Sequence, residues 1–259
     1  MLVFVACLLT SAVPTPMSNS TAHDPFSISL AWGPREVQGT AIRYGLTAIE
    51  VAALDNGNLL ACFVRWQNWQ YTNYFSTFSA VDGTFILPTT EFNPNEPLNE
   101  GLTGCSALHG GRFVGSTYGG NVRMANFEIR NSNGGSAGVA RLPYHRREIY
   151  PFALSNGNIL IASWDDSTEY FGCWFRIYTL ERTMVYNGRL DENFGSDWCV
   201  FGGAAAAYEG GFVIAYARGN GPYTAQYIKR YKNDGTLEAT VDVTASLPLG
   251  FNATAIAHT

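Results

Sequence analysis

Two short stretches carry the side chains best suited to meet a ligand. In WQNWQYTNY, Trp69 and Tyr71 offer flat apolar faces with a polar edge, the kind of surface on which a sugar ring stacks. In SWDDSTEYF, Asp165 and Asp166 set carboxylates close to Tyr170. These five residues are the candidate ligand contacts, because nothing in the repeating part of the chain requires them and they fall in connecting segments, where function concentrates.

Other chemistry finds less support in the residue pattern. Asp165, Asp166 and Glu169, with Asp191 and Glu192 further on, are oxygen donors of the type Ca²⁺ takes, but the alternating spacing of a calcium loop is missing, so solvated loops are expected. Glycoside cleavage needs two carboxylates facing each other across the substrate. Here the segments that would line a central pit read AAL, SAL, FAL and AAA, with only Glu50 and Glu148 nearby, and a sialidase-type S-x-D-x-G-x-T-W turn is missing. His23, His109, His145 and His258 are scattered without metal-ligand spacing; His109 in ALHGG and His258 in AIAHT read as turn residues. There is no G-x-S-x-G, P-loop or C-x-x-C sequence. The expectation is therefore a protein without catalysis, cofactor or metal.

Composition narrows the setting. The chain of 259 residues is 46% hydrophobic and 14% charged, too apolar for a disordered chain and long enough for a substantial core. A net charge of -5 with no basic run argues against a nucleic-acid partner. The 27 glycines and an aromatic content of 14% favour strands and tight turns over helices.

The elements that would hold the candidate residues emerge from a repeat. ALDNGNLLACFV, ALHGGRFVGSTY, ALSNGNILIASW and AAYEGGFVIAYA align, with turn glycines Gly57, Gly111, Gly157 and Gly210 separated by 54, 46 and 53 residues. Each copy reads as strand, tight glycine turn and apolar strand, a hairpin signature. A second glycine turn follows in each unit, at Gly83, Gly134 and Gly135, Gly188, and Gly235, giving four strands per unit. The strand before it alternates, as in WFRIYTL and YIKRYK, which predicts one buried and one wet face. The strand after the first turn is apolar throughout and must be covered on both sides. Four-stranded antiparallel units of about 50 residues predict a β-propeller.

Units are expected at about 46–100, 101–148, 149–198 and 199–250, within one repeat domain over 17–259. A fifth blade would be shared by the termini, from SISLAWGPREVQGTAI and NATAIAHT; the alternative is a fragment of a longer array. Residues 1–16 admit two readings, a signal peptide or the inner strand LVFVACLL of that shared blade. The apolar run is too short to span a bilayer. An aromatic closes the second strand of each unit, Trp66, Tyr118, Trp164 and Tyr216, and is expected to seal one blade against the next.

The units resemble a family of long secreted and surface proteins whose repeats read P-x-x-A-L-x-x-G-x-φ-φ-φ-x-W, with φ apolar. The matching residues are Pro151, Ala153, Leu154, Gly157, Ile159 to Ile161 and Trp164, followed by FRIYTLERTMVYNG. The likeness runs from about Ser27 to the end and implies fold more than function. What it implies is an extracellular, non-catalytic adhesion or recognition repeat. The function expected is a binding module for glycan or protein, with a purely structural segment of a larger surface protein and a propeller-type glycoside hydrolase as the alternatives. N-x-S/T sequons at Asn19 and Asn252 permit glycosylation, and without Cys7 four cysteines remain, which suits an oxidising compartment. Cys173 and Cys199, 26 residues apart, are the candidate disulfide.

Overall fold

The computed structural model of the chain describes residues 3–4, 35–36, 46–67, 70–92, 102–119, 124–142, 146–165, 172–191, 198–207, 210–219 and 225–246. A two-residue ladder joins β1 (Val3–Phe4) to β2 (Arg35–Glu36), antiparallel, with Val3 opposite Glu36. The remaining residues of the expected shared blade and of the 1–16 segment, with Asn19, Asn252 and His258, lie outside the described residues.

Four sheets of four strands follow. The first holds β3 (Leu46–Ala53), β4 (Asn58–Gln67), β5 (Gln70–Ser79) and β6 (Phe85–Glu91). The second holds β7 (Leu102–Ala107), β8 (Phe113–Gly119), β9 (Met124–Arg130) and β10 (Ser136–Arg141). The third is β11 (Arg146–Ala153), β12 (Ile159–Asp165), β13 (Gly172–Tyr178) and β14 (Met184–Arg189); the fourth is β15 (Trp198–Ala206), β16 (Phe212–Gly219), β17 (Ala225–Tyr231) and β18 (Leu237–Asp242). Every sheet is an antiparallel meander in chain order, so the protein is all-β and built from propeller blades. The first strands β3, β7, β11 and β15 each lie against the next, which makes them the inner row, while β18 is exposed along its whole length.

Burial follows from stacking. Side chains of a strand alternate between two faces, and each inner blade face meets a neighbour, so the second strand is buried on both. Leu59 to Val64 and Ile159 to Trp164 are buried without a break. Between the first two blades sit Leu60, Val64, Phe75, Phe92 and Phe113; between the second and third, Val114, Phe127, Ile129, Ile159 and Tyr178. Leu160, Phe175 and Ile177 meet Phe212, Ile214 and Tyr231 between the third and fourth. Each such side chain contributes about 1.5–3 kcal/mol on leaving water.

The structure specifies one sequence expectation and changes two. In the tight first turn Leu54 N–H donates to the Asn58 carbonyl (2.8 Å) and Gly57 N–H to that of Leu54 (3.1 Å), a pattern repeated at Leu154–Asn158. Gly57 (φ 81°) and Gly157 (φ 84°) take the left-handed position, while Asn56 and Asn156 accept from the backbone two residues on. This is a three-residue loop with its glycine in the bulge.

In the third blade the second turn is not at Gly188, which lies inside β14 opposite Phe175. It spans Thr179–Thr183, and Arg182 supplies the positive φ of 67° at a cost of about 1–2 kcal/mol. Its guanidinium donates to the Ala137 carbonyl of the second blade, an inter-blade bond that offsets the strain. Gly188 serves packing instead, since a Cβ there would fall 2.6 Å from the Tyr186 ring.

The alternation of WFRIYTL does not mark a wet face. Arg176 is buried between blades, with its guanidinium 3.3 Å from Ser163 Oγ and 5.6 Å from the Trp174 ring. Stacking covers both faces, so the polar residues of the alternation become interface residues.

Candidate functional site

The meander separates two ends of the blade stack. Tight turns at 54–58, 79–84, 108–112, 131–135, 154–158, 179–183, 207–211 and 232–236 close the strands at one end. The strand ends that lead into 68–69, 120–123, 166–171 and 220–224, and into the blade junctions 93–101, 143–145 and 192–197, all lie at the other. Both candidate ligand stretches attach at this second end.

Of the residues selected from sequence, Tyr71 lies in β5 with its backbone opposite Trp66, and Asp165 closes β12 opposite Arg146 and Gly172. Trp69, Asp166 and Tyr170 lie outside the described residues, as do Glu169 and Glu192. Cys173 and Cys199 form a disulfide across the third–fourth interface, with Cα atoms 6.0 Å apart, inside the 4.4–6.8 Å range such a bond requires.

The aromatic series behaves differently from its reading as one repeating position. Trp164 stands seven residues after its turn glycine and Tyr216 six, and a slip of one residue reverses the face. They therefore point at each other's blades across the same interface, 5% and 1% exposed, and both seal it.

Around Tyr216 the structure assembles a cluster that sequence reasoning missed. At the loop-bearing mouth of the third–fourth interface, Arg218 Nη1 donates to Asp191 Oδ2 at 2.9 Å, with side chains 26% and 16% exposed and so within reach of solvent. The Arg218 guanidinium lies 5.7 Å over the Tyr227 ring, which stacks on Tyr216 with centroids 5.5 Å apart. Lys229 closes the floor, its ammonium 5.6 Å from the Tyr216 ring and donating to the Leu190 carbonyl. Burial, reinforced by the Asp191 carboxylate, pushes the Tyr216 phenol well above the ordinary tyrosine range, so it stays neutral at physiological pH. These residues come from two strands and a junction, 191 to 229, so no local motif announces them.

At the opposite end Asp55 clamps the first blade to the second. Its carboxylate accepts from Gly110 N–H (2.7 Å) and Gly111 N–H (2.5 Å), with His109 Nδ1 3.8 Å away. Those two backbone bonds hold its carboxyl below the usual value of 3.8. A depressed carboxylate contributes stability above its unfolded pKa and loses it as pH falls through the folded one. The thermal midpoint of the wild type should therefore exceed that of Asp55→Asn most at pH 6, and the gap should shrink below about pH 4. A gap constant from pH 6 to pH 2.5 would refute the clamp.

Among the described residues, no three His, Cys, Asp or Glu side chains gather as a metal-binding group, and no helix is long and apolar enough to cross a membrane.

No protein-family model and no curated protein matches the chain. Solved structures do. A protein of unknown function from Dyadobacter fermentans is 14% identical, with a TM-score of 0.51, over 79% of this chain and 69% of that one. A polysaccharide lyase is 11% identical, with a TM-score of 0.48, over 89% of this chain and 55% of its own. A family 117 glycoside hydrolase from the marine bacterium Zobellia galactanivorans is 10% identical, with a TM-score of 0.42, over 76% and 69%. Identities this low speak for the fold alone. The expectation of no catalysis does not stand, since two of these matches are named as enzymes, a polysaccharide lyase and a glycoside hydrolase. Contiguous motifs are a poor guide where separate blades supply the groups of one site.

Proposed function

We propose that this chain is an extracellular, carbohydrate-directed propeller that engages its glycan at the loop-bearing end, centred on the mouth between the third and fourth blades. The observation that carries this is the half-open Asp191–Arg218 pair beside Tyr227. A sugar presents an apolar C–H face and a rim of hydroxyls. Tyr227 offers a ring to the first, while Asp191 accepts and Arg218 donates to the second. The pair is held at 2.9 Å before any ligand arrives, which reduces the ordering cost of binding. The strand ends that lead into the stretches with Trp69, Tyr71, Asp165, Asp166 and Tyr170 lie at the same end. The Cys173–Cys199 disulfide, with the repeat's likeness to secreted proteins, supports an oxidising compartment.

Affinity electrophoresis through gels containing a panel of neutral and acidic polysaccharides tests this, with release of reducing ends scored in parallel to register cleavage. At least one polysaccharide should retard the protein, and Arg218→Ala or Tyr227→Ala should weaken the retardation about tenfold, near 1.4 kcal/mol, with an unchanged far-UV spectrum. A protein that no polysaccharide retards, or variants that bind as the wild type does, would remove the proposal.

A further inference from the structure

The third–fourth interface is covalently closed by Cys173 and Cys199, and the first–second interface contains two cysteines in a matching arrangement. Cys62 lies in β4, fully buried, in one cluster with Leu60, Val64, Phe75, Phe92 and Phe113. Cys105 lies in β7, partly exposed, and packs against that same cluster. Its direction follows from its neighbour. Gly104 abuts Pro151 and Tyr150 of the third blade, so the next residue along the strand must project to the opposite face, toward the first blade.

The placement repeats that of the existing bond. In both interfaces one cysteine is on the first strand of a blade, β7 or β15, and the other on an interior strand of the preceding blade, β4 or β13. These strands lie against each other in both cases. Within each pair the two cysteines stand one rung apart, counted from the tight-turn end of the blades. Cys173 pairs with Trp164 and Cys199 with Arg218, on the sixth and seventh rungs; Cys62 pairs with Glu50 and Cys105 with Gly115, nearer that end on the fourth and third.

We propose that Cys62 and Cys105 are the site of a second inter-blade disulfide, formed by exchange with a low-molecular-weight disulfide such as oxidised glutathione. Cys105, the accessible thiol, loses its proton and attacks the small disulfide, giving a mixed disulfide and releasing one thiol. Cys62 then loses its proton and attacks the Cys105 sulfur, expelling the second thiol. Two protein thiols are oxidised and one small disulfide is reduced to two thiols. The product ties the first blade to the second as Cys173–Cys199 ties the third to the fourth.

The full chain, folded in a glutathione redox buffer, is denatured, alkylated without reduction, digested and mapped by mass spectrometry. The expected result is a Cys62–Cys105 linked peptide beside the Cys173–Cys199 one. With five cysteines in the chain, the titre is then one thiol per denatured molecule instead of the three left by a single disulfide. In Cys105→Ser the titre should rise to two. Alkylation of both Cys62 and Cys105 in the wild type, or a link from either to another cysteine, overturns the proposal.

Discussion

Arg130→Ala should cost about 3–5 kcal/mol of folding stability, enough to lower the thermal midpoint by roughly 10 °C in a chain of this size. The guanidinium is sandwiched between the first two blades, 5.2 Å over the Phe75 ring and 5.7 Å over that of Phe92. It donates to Glu128 Oε2 at 2.9 Å, to the Gly134 carbonyl at 3.0 Å and to the Glu91 carbonyl, in the preceding blade, at 3.1 Å. Both side chains of the ion pair are less than a tenth exposed. Truncating the arginine strands a carboxylate away from water, which costs more than the bonds themselves. Lysine should rescue little, because a single ammonium cannot serve the three acceptors that the planar fork reaches. The double variant Arg130→Met with Glu128→Leu should regain most of the loss, since no unpaired charge remains. Urea denaturation followed by circular dichroism measures all four proteins. A loss below about 1 kcal/mol in Arg130→Ala would show that the pair does not hold this interface.

The second large effect is expected from Cys173→Ser combined with Cys199→Ser. Opening a loop of 26 residues restores chain entropy worth about 3.5 kcal/mol to the unfolded state. The midpoint in urea should fall accordingly, and reductant should bring the wild type at least as low. The disulfide sits at the mouth that carries Asp191 and Arg218, so the same variant should bind its polysaccharide more weakly. Unchanged stability with the bond absent would mean that apolar packing of Phe175 and Phe212 alone closes the interface, whose ring centroids are 5.8 Å apart.

How much of this was legible from residues alone depended on distance along the chain. Hairpins were readable because a left-handed turn needs glycine and the apolar run after it is contiguous: LDNGNLLA and LSNGNILI form the same turn with the same hydrogen bonds. The third blade's second turn was misplaced for the converse reason. Arg182 took the left-handed position that glycine usually marks, and what permits it is a carbonyl of another blade, at Ala137, 45 residues away. Alternation in WFRIYTL was read as a wet face because a pattern of polar and apolar residues records chemistry, not what covers it. The stacked neighbour turned Arg176 into an interface residue.

By itself, then, the sequence determined what is local: an all-β chain, units of about 50 residues, four strands in each, and where most of the strands turn. These follow from φ restrictions at glycine and from side-chain period, both of which act within a few residues. Tertiary structure alone decided which faces meet. It set Trp164 and Tyr216 against each other, brought Asp191, Arg218 and Tyr227 to one mouth, joined Cys173 to Cys199 and placed Cys62 and Cys105 in one cluster. Those outcomes depend on the register and stacking of whole sheets, where a shift of one residue reverses every side chain.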